Sequence, residues 1–224
     1  MMNAQLPLKL QLTESATFSN FYPGNNLQLV NALQEGAFSC LYYWGGSAVG
    51  KTHLLHAICH QYMNSRARPV YLPLDDKELD PRILEGLEHY DLICLDNIHE
   101  VAGQDNWETA LFHLYNRAQE NNCRLVVSSR RPLASLEIKL ADLLSRLGWG
   151  LVFQLLPLND DDKQKALQQW SAVRGLEMNN EVAQYLLKHC PRDMKSLFEM
   201  LDRLDHASLA AQRKLTIPFV RGCI

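Results

Sequence analysis

The sequence predicts an α/β fold in which helices cover both faces of a parallel sheet, followed by a smaller part made only of helices. Short apolar runs without polar alternation are separated by longer amphipathic stretches from about residue 20 to residue 156, which is typical of buried parallel strands and their connecting helices. After Pro157 the remaining segments have the length and periodicity of helices. The chain has 224 residues, 47% of them hydrophobic, which is enough for a sizeable core.

Five apolar runs are the predicted strands. Each has four to six residues, and the segments between the runs have helical length and periodicity. The runs are CLYYW at 40–44, VYLPL at 70–74, LICL at 92–95, RLVVSS at 124–129 and LVFQL at 151–155. We therefore expect a five-stranded parallel sheet.

Three helices are predicted in the C-terminal part. Asn159 or Asp160 can cap the first helix, which contains KQKALQQWSAVRG and ends at Gly175. The second is EVAQYLLKHC. The third spans about residues 192–211 and carries apolar residues on one face at spacings of three and four. Together they predict a small helical lid subdomain.

The strongest chemical signal lies between the first strand and the helix that follows it. The octapeptide GGSAVGKT matches the phosphate-loop pattern G-x-x-x-x-G-K-[ST]. In such a loop the backbone N–H groups and the positive end of the helix dipole face an anion, Lys51 neutralises the β- and γ-phosphates, and Thr52 presents its hydroxyl to Mg²⁺. We therefore expect bound ADP or ATP with Mg²⁺. The predicted nucleotide-binding residues here are Gly45, Gly46, Ser47, Ala48, Val49, Gly50, Lys51, Thr52 and His53.

A second signal is an acidic residue at the end of the third strand. In LICLDN, Asp96 follows an apolar run, and the carboxyl end of a parallel strand lies on the edge of the sheet where ligands bind. Asp96 is therefore predicted to hold Mg²⁺ together with Thr52. A hydrolytic ATPase of this architecture usually carries a second acid at the next position, whereas Asn97 cannot act as a base. We expect feeble intrinsic hydrolysis, and the sequence leaves open whether Glu100 substitutes.

The histidines and cysteines do not form a metal-binding pattern. His53, His56 and His60 have helical spacing, but no carboxylate joins them, so we interpret them as packing residues. The six cysteines are scattered without a C-x-x-C pair. This predicts reduced thiols, and neither a disulfide framework nor a zinc site.

Charge and hydropathy argue against two classes of partner. The formal net charge is −3, without the basic excess of proteins that bind DNA tightly. No apolar run of about 18 residues and no secretory signal is present. We therefore expect a cytoplasmic protein without a membrane segment and without direct sequence-specific DNA binding.

Three further segments, taken with the two motifs above, resemble the AAA+ ATPases and, within them, the family of the bacterial replication initiator DnaA. FSNFYPGNN at 18–26 is similar to the segment that borders the adenine. SRLGWG at 145–150 resembles the segment that carries the arginine finger, and PRDMKSL at 191–197 resembles the start of the lid helix. The resemblance covers about residues 18–211 and implies an AAA+ P-loop fold.

This resemblance implies roles for two arginines. Arg146 would be an arginine finger that reaches across an interface to the γ-phosphate of ATP held by DnaA, and a surface ion pair is the alternative for this side chain. Arg192 would be the sensor 2 residue. By resemblance, this chain's own nucleotide would be ADP, and its contact with Arg192 would set the angle between the nucleotide-binding part and the lid.

One segment departs from the family pattern. DnaA has an acid after the Thr-Ser that ends its fourth strand, whereas this chain has Arg130 there. Two interpretations stay open: Ser129 is the sensor 1 residue, or sensing of the γ-phosphate is altered. Both agree with a weak ATPase.

Both ends of the chain narrow the resemblance to regulatory homologues of DnaA. DnaA continues past its lid into a helix-turn-helix DNA-binding domain, whereas this sequence ends soon after its last long helix. The regulators carry a short N-terminal motif that binds the DNA polymerase III sliding clamp, and QLPLKL resembles it. There Gln5 would make polar contacts while Leu6, Leu8 and Leu10 enter an apolar groove.

The sequence therefore predicts a negative regulator of replication initiation that stimulates hydrolysis of DnaA-bound ATP with the DNA-loaded clamp. The alternative is a self-sufficient AAA+ ATPase such as a helicase loader, which the phosphate loop allows and Asn97 disfavours. The expected partners are DnaA and the clamp's beta subunit, and self-association stays open. We expect a flexible clamp-binding segment at 1–17, an AAA+ nucleotide-binding domain at 18–156 and a helical lid at 157–224.

Overall fold

A five-stranded parallel sheet forms the centre of the fold. The computed structural model describes residue 12 and residues 16–211 and 214–223. The strands are β1 (Cys40–Trp44), β2 (Pro69–Pro73), β3 (Leu92–Asp96), β4 (Arg124–Ser129) and β5 (Leu151–Gln154). Their order across the sheet is β2-β3-β4-β1-β5, and every neighbouring pair is parallel. The predicted sheet is confirmed, and each strand end lies within one residue of its predicted position.

Four helices flank the sheet and four follow it. The flanking helices are α1 (Leu27–Glu35), α2 (Lys51–Asn64), α3 (Asp105–Glu120) and α4 (Ala141–Leu147). The helices after β5 are α5 (Asp160–Val173), α6 (Asn180–His189), α7 (Met194–Ala211) and α8 (Ile217–Arg221). Apolar residues of α1 and α2 share one buried core with the sheet, and those of α3 and α4 share another.

The continuously apolar strands follow from this two-faced burial. On β1, Leu41 and Tyr43 point into the core under α1 and α2, whereas Cys40 and Tyr42 point into the core under α3 and α4. All four are fully buried, so no position of the strand can be polar without a partner. The two tyrosine hydroxyls satisfy this condition by donating to backbone carbonyls, at 2.5 Å for Tyr42 and 2.7 Å for Tyr43.

The helices after β5 surround a third apolar core of their own. Asn159 caps α5 by accepting a hydrogen bond from the backbone N–H of Asp162 at 2.8 Å, and Asn179 caps α6 in the same way. The leucines of α6 and α7 fill the centre of this core. The helical lid is therefore confirmed, although the helix predicted from about residue 192 begins at Met194.

Helix α8 was not predicted from the sequence. It has five residues, begins after Thr216, whose side chain accepts a hydrogen bond from the Phe219 N–H, and carries a proline in its first turn. So short a segment has no helical periodicity to detect. Its contribution to the lid is Val220, which is fully buried in the third core.

A single buried asparagine joins the segment before β1 to the connection between β5 and the lid. The side-chain NH₂ of Asn26 donates to the Leu156 backbone carbonyl at 3.0 Å, and the Leu156 N–H donates to the Asn26 side-chain oxygen Oδ1 at 2.7 Å. Asn26 is only 4% exposed. The chain path into the lid is thus fixed by a residue far away in sequence.

In the part of the chain that is described, the structure has no disulfide and no helix suited to cross a membrane. All six cysteines are free, and five of them are buried. Cys59 and Cys94 lie with their sulfurs 3.6 Å apart. Among the helices of the described residues, none combines the length and the apolar character needed to cross a bilayer.

Candidate functional site

The loop between β1 and α2 needs glycine at the positions where the backbone is most crowded. Gly50 has a φ of +101°, and a Cβ added there would lie 2.8 Å from Cε2 of Phe21. A Cβ on Gly45 would lie 2.5 Å from the Leu155 carbonyl oxygen. Ala48 also has a positive φ, of 56°. The loop therefore makes a turn that few other sequences allow.

Lys51 lies at the first position of α2 and folds back over the loop. Its side-chain ammonium donates to the carbonyl oxygens of Gly45 at 2.9 Å and Gly46 at 2.6 Å, and the residue is only 7% exposed. Burial lowers the pKa of Lys51, the charge of Asp96 opposes this shift, and the charge of Arg130 adds to it. A cation is thus held at the position where the loop would receive a phosphate.

Asp96 is the centre of a hydroxyl network behind the loop. One carboxylate oxygen accepts hydrogen bonds from Thr52 Oγ1 at 2.6 Å and from the Tyr71 hydroxyl at 3.0 Å, and the other accepts from Ser128 Oγ. Asp96 is 1% exposed. Because four groups from four segments meet here, the carboxylate has one fixed orientation beside Thr52.

Tyr71 and Ser128 are members of this network that sequence reasoning missed. Tyr71 lies on β2 opposite Cys94 of β3, and Ser128 lies on the neighbouring strand β4. Burial raises the pKa of Tyr71, and the charge of Asp96 raises it further, so the hydroxyl stays protonated and can donate. The strand order could have revealed both residues, since β2 and β4 flank β3.

The loop opens into a cavity of about 560 Å³ between the sheet and the lid. Its walls come from the segment before β1, the loop, the ends of β3 and β4, and helices α5 and α7. The predicted residues among its lining are Ser47, Ala48, Val49, Gly50, Lys51, Thr52, His53 and Arg192. Gly45, Gly46 and Asp96 do not line it: the first two bind Lys51, and the third lies behind Thr52.

The cavity is basic although the chain is acidic. Its lining has five basic side chains, Lys51, Arg130, Lys163, Arg192 and Lys195, against two acidic ones, Asp75 and Asp193. The formal net charge of the whole chain is −3. This local excess of positive charge fits a polyanion such as a nucleoside polyphosphate. With Thr52 and Asp96 adjacent, the donor set also suits Mg²⁺, which prefers oxygen ligands.

Arg192, the predicted sensor 2 arginine, lies two residues before α7 and lines the cavity. Its side chain is 66% exposed, and one guanidinium nitrogen lies 3.4 Å from a carboxylate oxygen of Asp160. The other carboxylate oxygen of Asp160 lies 3.7 Å from Lys163 Nζ. Because such exposed pairs are weak, the arginine can exchange this contact for a stronger anion.

The two open interpretations at the end of β4 have different geometries. Ser129 is fully buried and accepts a hydrogen bond from the Arg131 N–H at 3.0 Å, and it does not line the cavity. Arg130 lines the cavity and is exposed. Of these two residues, Arg130 is the one that a ligand in the cavity could contact.

The residue that follows Asp96 is not an acid. Asn97 lines the cavity with a φ of 62°. Glu100 does not line it, and its carboxylate lies 3.3 Å from His99 Nε2. The position directly after Asp96 therefore supplies no carboxylate that could act as a base toward water.

His53 is the one histidine of α2 that lines the cavity. Its Nε2 lies 2.9 Å from the Thr17 carbonyl oxygen, and its ring lies 5.4 Å from that of Phe21. Burial lowers the pKa of His53, which favours the neutral ring. Among the described residues, no group of three or more histidine, cysteine or acidic side chains could hold a metal ion.

Arg146 lies on α4, away from the cavity lining. Its guanidinium carbon is 4.7 Å from the ring centre of Phe112, 5.9 Å from that of Tyr115 and 5.6 Å from that of Trp149. No carboxylate of the described residues lies within 4.0 Å of it, so the alternative of a surface ion pair has no partner there. Trp149 is 71% exposed. Among the described residues, this guanidinium is therefore surrounded by aromatic rings and has no carboxylate partner.

The predicted clamp-binding residues Gln5, Leu6, Leu8 and Leu10 lie outside the described residues.

The phosphate loop between β1 and α2, the strand order with β1 between β4 and β5, and the helical lid define an AAA+ fold. Residues 12–154, more than half of the chain, match the family described as the bacterial DnaA ATPase domain. Residues 160–224 match the Hda lid domain. The chain therefore belongs to the bacterial DnaA ATPase family, as a Hda- and DnaA-like AAA+ protein.

Solved structures show the same fold at low sequence identity. Domain III of the replication initiation protein DnaA from Thermotoga maritima has a TM-score of 0.77 at 20% identity, over 96% of this chain and 97% of that one. AMPPCP-bound DnaA from Aquifex aeolicus has a TM-score of 0.74 at 21% identity, over 85% of this chain and 65% of that one. The Thermotoga maritima RuvB Holliday junction branch migration motor has a TM-score of 0.64 at 15% identity, over 88% of this chain and 65% of that one.

Replacing Gly50 tests the crowding of the loop. Gly50→Ala is expected to lower the free energy of unfolding at least about 1 kcal/mol more than Gly86→Ala, because both positions have positive φ but only the first added Cβ meets another residue. Urea unfolding of the two variants measures the difference. Equal losses would show that the Phe21 ring yields freely.

Proposed function

We propose that this protein is a regulator of DnaA that acts as Hda does: a nucleotide-bound AAA+ protein that, with the DNA-loaded sliding clamp, stimulates hydrolysis of DnaA-bound ATP. Such a protein would be a cytoplasmic inhibitor of replication initiation. The match of the C-terminal part to the Hda lid domain supports this role over that of an initiator.

The nucleotide in this proposal is ADP or ATP with Mg²⁺. The related DnaA from Aquifex aeolicus is AMPPCP-bound. In this chain, Lys51 would bind the β- and γ-phosphates, and Thr52 and Asp96 would hold the metal, with Asp96 also orienting the Thr52 hydroxyl. When bound, Mg²⁺ would supply positive charge that offsets the negative charge of the phosphates. Arg192 would exchange its contact with Asp160 for one with the phosphates, and this would fix the lid against the AAA+ domain.

The observation that carries the proposal is the environment of Arg146. Its guanidinium lies outside the cavity of its own chain, without a carboxylate partner among the described residues, and beside the exposed ring of Trp149. An arginine that served its own nucleotide would line that cavity. On a partner's ATP it would stabilise the negative charge that grows on the γ-phosphate oxygens in the transition state.

The chain's own ATP turnover would be secondary in this mechanism. Asn97 lines the cavity where a second acid would be needed, and the Glu100 carboxylate is outside the lining. The lack of a base at position 97 disfavours the second candidate, a self-sufficient AAA+ ATPase such as a helicase loader. A fast steady-state ATPase rate of the isolated protein would favour that candidate instead.

The sliding clamp would be bound by the N-terminal hexapeptide QLPLKL. Its alternating leucines suit an extended peptide that enters an apolar groove, with Gln5 making polar contacts. In the same proposal, residues 1–17 are the clamp-binding segment, 18–156 the AAA+ domain and 157–224 the lid. The chain would therefore reach DNA through the clamp, which agrees with its net charge of −3.

Removing the Lys51 ammonium tests nucleotide binding. Lys51→Ala is expected to weaken ADP and ATP binding about 100-fold or more, because charge-assisted bonds to phosphate oxygens are lost. Isothermal titration calorimetry measures the affinity. Lys77→Ala, an exposed lysine outside the cavity lining, is the matched control and should bind as the unmodified protein does. Equal affinity of the Lys51 variant would contradict the assignment.

Removing the Arg146 guanidinium tests the finger. In an assay of ATP hydrolysis by DnaA with DNA-loaded clamp, Arg146→Ala is expected to lower the stimulated rate about 10³-fold or more. Arg82→Ala is the control, since that side chain is 83% exposed and pairs with Asp80. If the unmodified protein gives no stimulation, the regulator role is wrong. If Arg146→Ala stimulates equally, only the finger assignment is wrong.

Changing the hexapeptide tests the clamp. A Gln5→Ala, Leu6→Ala double variant is expected to lose binding in a pull-down with the sliding clamp, because the polar contact and one apolar anchor are removed together. Asn3→Ala, just outside the hexapeptide, should leave binding intact. Retained binding by the double variant would remove the clamp segment from the proposal.

A further inference from the structure

Glu108 is a buried acidic residue on α3 that the proposed mechanism does not use. It is 2% exposed, and all the hydrogen bonds it accepts come from backbone N–H groups. Gly103 donates at 2.7 Å and Leu140 at 2.8 Å, while the Lys139 N–H lies 3.1 Å and 3.0 Å from the two carboxylate oxygens. A buried carboxylate with three backbone donors is a strong and oriented anchor.

The anchored backbone leads directly into the helix that carries Arg146. Leu140 immediately precedes α4, and its carbonyl oxygen accepts hydrogen bonds from the N–H groups of Leu143 and Leu144 at 3.0 Å and 3.2 Å. Leucine has no side-chain group that could cap a helix. The position of the first turn of α4 therefore depends on the contact between Glu108 and the backbone at residues 139–140.

The far end of α4 rests on the same helix. The Arg146 guanidinium lies over the rings of Phe112 and Tyr115, which follow Glu108 on α3 by one and two turns. Helix α3 therefore supports α4 at both of its ends. The Glu108 carboxylate holds the backbone just before the first turn of α4, and the rings of Phe112 and Tyr115 pack against Arg146 in its last turn. A shift at the start of so short a helix is transmitted to Arg146.

We propose that Glu108 is a positioning residue for Arg146: by holding the backbone of Lys139 and Leu140, it fixes the direction in which α4 presents the guanidinium to a partner's γ-phosphate. This inference rests on the proposed function, since it concerns the same arginine. It adds a residue of α3 that touches neither nucleotide and acts only through the geometry of α4.

Glu108→Gln tests the inference with little change in volume. An amide has one acceptor oxygen, and its NH₂ group would face backbone donors, so at least one of the three N–H groups loses its partner. In the DnaA hydrolysis assay we expect a 10- to 100-fold lower maximal stimulation, because small misplacements of a catalytic group cost rates of this order. We expect the protein concentration at half-maximal stimulation and the affinity for ADP to be unchanged. Hydrogen exchange should be faster at the amides of Lys139 and Leu140 and unchanged on β1.

Glu120→Gln, an exposed acid at the end of the same helix, is the matched control and should behave as the unmodified protein does. Should Glu108→Gln not fold, Leu140→Pro removes one donor of the same contact at a φ of −79°, which proline accepts, and should show the same lowered maximum. An unchanged maximum, or a loss that appears only in half-saturation or ADP affinity, would overturn the inference. Failure of the unmodified protein to stimulate would instead overturn the proposed function, and the inference with it.

Discussion

The buried carboxylate of Asp96 is the contact on which the site depends. It accepts hydroxyl hydrogen bonds from α2, β2 and β4 at once, through Thr52, Tyr71 and Ser128. These bonds fix the end of β3 against the helix that begins at the phosphate loop, so the positions of the Thr52 hydroxyl and of the Lys51 ammonium follow from the register of the sheet. A buried charge of this kind is tolerated only because every donor is in place, which ties the stability of the sheet edge to the geometry that a nucleotide needs.

A second feature is the separation of two cationic groups. Five basic side chains line the cavity, where they can neutralise a bound polyphosphate. Arg146 lies outside that lining, on α4, and its guanidinium lies over aromatic rings of α3. The first set would keep a nucleotide in this chain, and the second would act on a nucleotide in another chain. Under the proposed function, this division would allow the chain to keep its phosphate loop although Asn97, and not an acid, follows Asp96.

The elements that could be predicted from the sequence are those that depend on residues close together in the chain. The strands, the phosphate loop and the N-cap of α5 at Asn159 depend on residues close by in the sequence, and the structure has each of these elements. Tyr71 and Asn26 were missed because their partners lie 25 and 130 residues away, and only the strand order or the path into the lid brings them together. Glu108 was missed for the same reason, since its donors at residues 139–140 are about 31 residues further on. The clamp segment rests on sequence alone.

In the proposed function, the ATP that is hydrolysed is bound to the partner and not to this chain, and a single-turnover experiment distinguishes the two. DnaA is loaded with ATP labelled at the γ-phosphate and mixed, with DNA-loaded clamp, with this protein carrying unlabelled ADP; in the reciprocal mixture the label starts on this protein. Rapid release of labelled phosphate is expected only when the label starts on DnaA. Equally rapid release from this protein, with none from DnaA, would contradict the proposed function.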